Sequence, residues 1–221
     1  MTLQAVFKRN EGMPRNYINQ SAIDSEFGWL DNQEANTAGY RKAIAHEMMD
    51  IAARAEKALP SGFRLVRYDE TPTSFNIALL SDTAEQIVYY IKCHILPDVY
   101  LDAKPVTQVL LWRTSDVTYQ SITSGLPELI FRNVLLKEYN IIASDSYQTT
   151  EGRGFWVRQL GYALQYGEYV YRYDRVSCEL TPITDHALVR DNRADLWGDD
   201  EAYANILAII SKTELTPKKH P

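Results

Sequence analysis

Cysteine is scarce in this chain, with two residues, Cys93 and Cys178, in 221. Neither has a second Cys or a His at zinc-finger spacing, so reduced thiols are the default expectation. Both lie in apolar, strand-like runs and read as reduced, buried thiols. Long apolar runs are absent too. No segment reaches the length of a membrane span, and the N-terminus is polar without the apolar core of a secretory signal. A cytoplasmic location and no membrane partner are expected. Positive charge is in deficit, 23 Lys and Arg against 29 Asp and Glu, for a net charge of -6 and a pI near 5.3. Such a protein lacks the broad field that drives non-specific nucleic-acid binding, and room is left only for a local basic groove. No internal repeat or low-complexity block occurs.

What is present is enough hydrophobic material, 45%, to bury a core in one domain with elaborations. Fifteen tyrosines favour half-buried strands and binding surfaces, because the ring is apolar and its tip polar. Residues 1–39 are rich in Asn, Gln and Ser and read as an irregular arm, residues 40–212 as one domain, and residues 213–221 as a loose tail. Ile44, Met48, Ile51, Ala52, Ala55 and Leu59 recur at helical spacing, which predicts a helix over Tyr40 to Leu59, ended by Pro60-Ser61-Gly62.

The period then changes to two. Strands are predicted over Phe63 to Tyr68, Phe75 to Leu80, Ile87 to Leu96 and Val106 to Arg113, with short connections that make the run antiparallel. Beyond them the pattern alternates: helix from Leu126 to Tyr139, strand from Ile141 to Ser144, helix from Gly152 to Tyr166, strand from Glu168 to Tyr173. Asn205 to Ile210 reads as a final strand on its β-branched content. The fold class is α+β (mixed α/β), with a central, mostly antiparallel sheet and helices on both faces.

One junction carries chemistry. The strand Val106 to Arg113 runs through Tyr119-Gln120-Ser121-Ile122-Thr123-Ser124-Gly125 into the apolar helix at Leu126. A strand, a small-residue loop and a helix start together form an anion cradle, since unbonded N–H groups and the positive helix end face the same point. Capping alone also accounts for Ser and Thr there, and both readings stand.

The spacing Gln120-x-x-Thr123-x-Gly125 resembles the Gln/Arg-x-x-Gly-x-Gly/Ala loop of GNAT-type acetyltransferases, with Thr123 in place of the first glycine. Gly154-Phe155-Trp156-Val157-Arg158-Gln159-Leu160-Gly161-Tyr162 is similar to that family's Phe-Tyr-x-x-x-Gly-Phe helix. It carries one extra residue, and Trp156 stands where many members have a tyrosine acting as acid. The run Ile142-Ala143-Ser144-Asp145 with Gln148-Thr149, Gly152 and Trp156 also resembles divergent GNAT-like proteins of tailed phages, which would place the chain in a host cytoplasm.

The resemblance implies acetyl-coenzyme A as cofactor and an amine, of a small molecule or a protein, as acceptor, and it leaves a homodimer open. Its pyrophosphate would be held by Gln120, Thr123, Ser124 and Gly125. The backbone of Leu111 or Trp112, with Leu110 beside them, would face the thioester where the strand Ile141 to Ser144 splays away. An amine is protonated at neutral pH, so a base is required. Asp145, Asp116 and Glu70 are the candidate bases, with Tyr147 or Tyr119 as acid to the leaving thiolate. The alternative is a catalytically silent GNAT-fold accessory protein of a phage, acting on a host protein.

Other patterns compete. Thr149-Thr150-Glu151-Gly152-Arg153-Gly154 is a second glycine-bearing phosphate-loop candidate. His46 and Asp50, one turn apart on the predicted helix that also carries Glu47, form a pair without a third ligand and read as a solvated face, so no metal site is expected. Pro97-Asp98 with Asp102 and Lys104 mimics a nuclease signature, but the gap places both carboxylates in one loop. Cys93 and His94 point to opposite faces of a strand and cannot act together.

Overall fold

The structure, a computed structural model, describes residues 20–96, 101, 104–143, 150–198, 203 and 205–216. It is an α+β fold built on a mostly antiparallel nine-stranded sheet. Two helices come first, α1 (Gln20–Asp31) and α2 (Gln33–Ile44). The meander follows as β1 (Met49–Asp50), β2 (Phe63–Thr71), β3 (Ser74–Ser81), β4 (Gln86–Leu96) and β5 (Val106–Arg113). A 3-10 turn over Val117–Tyr119 leads to α3 (Gln120–Thr123) and α4 (Leu126–Ile130). A π-helical turn, Phe131–Leu135, continues into α5 (Leu136–Glu138). The rest is β6 (Asn140–Ala143), α6 (Thr150–Gln165), β7 (Tyr169–Asp174), β8 (Glu179–Ile183), α7 (His186–Arg190) and β9 (Ile206–Ser211). The strands lie in the order β1-β2-β3-β4-β5-β6-β9-β7-β8, and β5 with β6 is the parallel pair among them.

Three apolar clusters sandwich this sheet. One runs along the whole of one face, where Leu65, Phe75, Ile91, Val109 and Ile210 meet Leu126, Val134, Trp156 and Leu160. The opposite face is divided. Val66, Tyr68, Ala78, Tyr90 and Leu110 pack under Phe27, Leu30, Tyr40 and Ala43 of α1 and α2. Val106, Ile142, Tyr171, Tyr173, Leu207 and Ile209 form a separate cluster with Leu96 and Leu215. The division falls at the β5–β6 junction.

The strands of the meander, the strand after α5, α6 and the final strand lie where periodicity predicts them. Elsewhere the structure corrects the sequence reading. Residues 20–44, read mostly as an irregular arm, form two helices. Asn32 opens α2 by accepting the Ala35 N–H at 2.9 Å. The buried stripe of α2 is Asn36, Tyr40 and Ala43, too polar to register as an apolar face. The helix predicted over Tyr40 to Leu59 ends at Ile44 instead. Met49 and Asp50 pair with the edge of β2, Ile51 donates to Leu65 O at 2.9 Å, and Asp50 accepts the Ala52 N–H. Edge pairing outweighs the helix propensity of an alanine-rich run.

His46 therefore follows the helix and stacks on Tyr68, with ring centroids 5.2 Å apart. It does not share a helix face with Asp50. The helix over Leu126 to Tyr139 carries a π turn in its middle. Cys178, expected in a strand, sits in the β7–β8 hairpin turn with φ 56°. Asp174 closes that turn by accepting from Val176 and Ser177, and the polar strand β8 after it has no apolar alternation to read.

Candidate functional site

The site begins with an arithmetic of peptide groups along β5. Asn140 N–H donates to Pro105 O at 2.8 Å, and Thr114 N–H donates to Val88 O at 3.2 Å. Successive peptide groups of a strand point to opposite sides. Pro105, Thr107, Val109 and Leu111 therefore face β6, while Leu110, Trp112 and Thr114 face β4. Among the described residues β5 pairs with β6 only over Val106–Asn140, Thr107–Ile141 and Gln108–Ile142, although β5 continues to Arg113. In a parallel ladder the Gln108–Ile142 pair spends the Val109 N–H on β6, so the Leu111 peptide group is the one on the β6 side that lies beyond the last described pair, and the described part of β6 ends at Ala143. The two clusters of the divided face end on either flank of this junction.

The residues named from sequence fall around this end of the sheet in different ways. Leu111 faces the gap with its peptide group, and its side chain packs into the undivided cluster. Trp112 does not share that position. Its peptide group faces β4, and its indole lies on the other face, donating to Asp31 Oδ1 at 3.0 Å.

The predicted phosphate loop is wound into helical turns. Ser124 N–H donates to Gln120 O at 2.9 Å, and Thr123 is buried with its hydroxyl bonded to Tyr119 O at 3.0 Å. Thr123 therefore satisfies its own helix and offers no side-chain donor to a ligand. Gln120, Ser121, Ser124 and Gly125 are exposed. Gly125 adopts φ 69° at the start of α4, and a Cβ there would meet nothing within 4 Å. The left-handed backbone, not crowding, explains glycine at this point.

Tyr119 packs edge-on against Phe63, the first residue of β2, at 6.1 Å between centroids. β2 lies beyond β3 and β4 from the β5–β6 junction, so this ring is directed away from the gap. Asp116 is spent as a cap, accepting from the Thr118 N–H and hydroxyl. The backbone N–H of Thr118 holds its carboxyl below the usual range. Glu70 is exposed on β2, 4.0 Å from Lys92. Asp145 and Tyr147 lie outside the described residues, as do Asp98 and Asp102, while Lys104 caps a helix end through Leu136 O.

Trp156 stacks on Phe131 in the core and acts there as packing. Gly152, Arg153 and Gly154 of the second candidate loop are in the first turns of α6, and Arg153 lies over Trp197. Among the described residues no group of three His, Cys, Asp or Glu could hold a metal ion, and no helix is long and apolar enough to cross a membrane. Cys93 is fully buried, and burial pushes its thiol pKa up, away from nucleophilic use. Comparisons with protein-family models, with curated proteins and with solved structures give no match to this chain.

Proposed function

We propose that this chain is a GNAT-like acyltransferase that moves an acetyl group from acetyl-coenzyme A to an amine acceptor. The observation carrying the proposal is that β5 runs on to Arg113 while its described pairing with the parallel strand β6 ends at Gln108–Ile142, which leaves the Leu111 peptide group on the β6 side beyond the last described pair. The family resemblance implies that the strand from Ile141 to Ser144 splays from its neighbour beyond this point. N–H groups fixed in a strand need no reorganisation to meet charge developing on a thioester oxygen.

In this reading the amine attacks the acetyl carbonyl carbon, the oxygen takes up charge against the Leu111 N–H, and the thiolate leaves as the carbonyl re-forms. Asp145 remains the proposed base and Tyr147 the proposed acid. Tyr119 is withdrawn from that role because its ring is held on Phe63. Gln120, Ser124 and Gly125 are the proposed pyrophosphate contacts. Thr123 is not, because its hydroxyl is buried and bonded. The same buried Thr123 and the helical winding of this loop favour a second reading, a GNAT-fold accessory protein without catalysis.

Calorimetric titration with acetyl-coenzyme A separates the two. Binding in the micromolar range is expected. Gly125→Asp should weaken it about tenfold or more, equivalent to ~1.4 kcal/mol, by setting a carboxylate against a diphosphate. Gly125→Asn, equal in shape and tolerant of the same backbone, should bind like the parent. A parent protein that takes up no acetyl-coenzyme A leaves the accessory reading.

A further inference from the structure

We infer that the surface formed by Tyr162 and Tyr166 of α6 with Arg132, Lys137, Lys104 and Lys212 binds single-stranded nucleic acid. The protein as a whole carries a net charge of -6, yet these four cations converge. Lys212 Nζ donates to Arg132 O at 2.6 Å and Lys104 Nζ to Leu136 O at 2.8 Å. Arg132, Lys137 and Lys104 all act on Lys212, whose pKa is lowered first by burial and then by these neighbours against the pull of Glu168.

Two of the cations have a structural task. Their ammonium groups bond main-chain carbonyls of the π turn and of α5. Arg132 and Lys137 have no such task and are exposed. The Arg132 guanidinium lies 3.7 Å above the Tyr166 ring. Tyr166 is 41% exposed, and Tyr162, one helical turn earlier, is 37% exposed. Two carboxylates stand nearby. Glu128 is engaged by the Tyr166 hydroxyl at 2.6 Å, and burial pushes the Glu168 carboxyl upward.

Exposed rings at one-turn spacing beside cations suit unstacked bases on a phosphate chain. A duplex hides its base faces and offers those rings nothing. About four cations can neutralise about four phosphates, so the site is short and its affinity strongly salt-dependent.

Fluorescence anisotropy with a labelled oligothymidylate of about eight nucleotides tests this. Binding at low salt should fall as salt rises, with a slope of about -2 to -3 in log affinity against log salt. Tyr162→Ala should weaken binding by about fivefold or more through lost stacking. The pair Arg132→Ala and Lys137→Ala should weaken it by about tenfold and flatten the slope by about one unit. Thermal unfolding of each variant checks that the fold is retained. Acetyl-coenzyme A binding should be the same in Tyr162→Ala and the parent, so failure here is distinct from failure of the acyltransferase reading. No binding at low salt overturns the inference. So does a polyanion without bases, or a duplex, that binds as tightly and ignores Tyr162→Ala.

Discussion

Asn36 shows how a polar residue can occupy a helix's buried stripe. Its amide accepts the Ile87 N–H at 2.8 Å and donates to Ile87 O at 3.0 Å, while also donating to Leu30 O at 2.9 Å. The side chain behaves as a strand partner for one residue of β4, at the point where the β3–β4 register shifts. Asn36→Leu should cost about 2 to 4 kcal/mol, because three backbone groups lose a hydrogen-bond partner, read as a drop in the urea midpoint with m unchanged. Arg67 makes a second such anchor. Its guanidinium lies 3.9 Å over the Phe75 ring, bonds Glu138 at 2.8 Å and reaches the Tyr139 hydroxyl at 3.1 Å, while Glu138 also receives Arg54. Glu138→Gln should cost about 1 to 2 kcal/mol, less than a fully buried pair because Glu138 remains partly solvated. Neither anchor is legible in sequence, since Asn in a polar helix and Arg in a strand both read as solvent-facing.

The elements divide by how local their causes are. β3 is buried along its whole length and β5 is nearly so, and both stand out as short β-branched and leucine-rich runs between turn residues. α6 ends as Gly167 predicts: its φ is 73°, with Gly167 N–H on Leu164 O and Glu168 N–H on Ala163 O, a left-handed C-terminal closure. The α1–α2 hairpin was hidden because its determinants are contacts between elements. Gly39 lets the Trp29 ring lie where a Cβ would sit, 2.1 Å from Trp29 Cζ3. Gly39→Ala should therefore destabilise by about 1 to 2 kcal/mol, overpacking outweighing the helix propensity gained. Gly154, in α6, has only Arg158 Nη1 at 3.6 Å from its virtual Cβ. Gly154→Ala should instead stabilise by about 0.5 to 1 kcal/mol. Opposite signs for the two alanines in chemical denaturation are the expected outcome.

At the scale of the molecule, charge and burial bound the pH range. Arg64 holds the Asp82 carboxyl below its usual value, with Tyr40 adding a hydrogen bond. Burial raises Glu138, but Arg54 and Arg67 outweigh it, and the net shift is downward. Both contributions are present above the unfolded carboxylate values near about 4 and are lost as pH falls through the lower folded ones. At the alkaline end burial raises Tyr89 and Tyr90 and pushes Tyr68 up to about 12. Their contribution is present below the unfolded phenol value near about 10 and is lost as pH climbs past the folded values. Unfolding midpoints followed with tyrosine absorbance should fall at both ends. The sheet's face pattern was readable because burial imposes a period, whereas the candidate cleft was readable only in part. Leu111 could be named from its strand, but the exclusion of Trp112 depends on which edge each peptide group faces, and that is fixed by partners far along the chain. The most direct test is hydrogen exchange at the Leu111 amide with and without acetyl-coenzyme A. The proposed cleft predicts fast exchange in the free protein and marked slowing when acetyl-coenzyme A is added. An amide already protected without it, or unchanged by it, would contradict a cleft between β5 and β6.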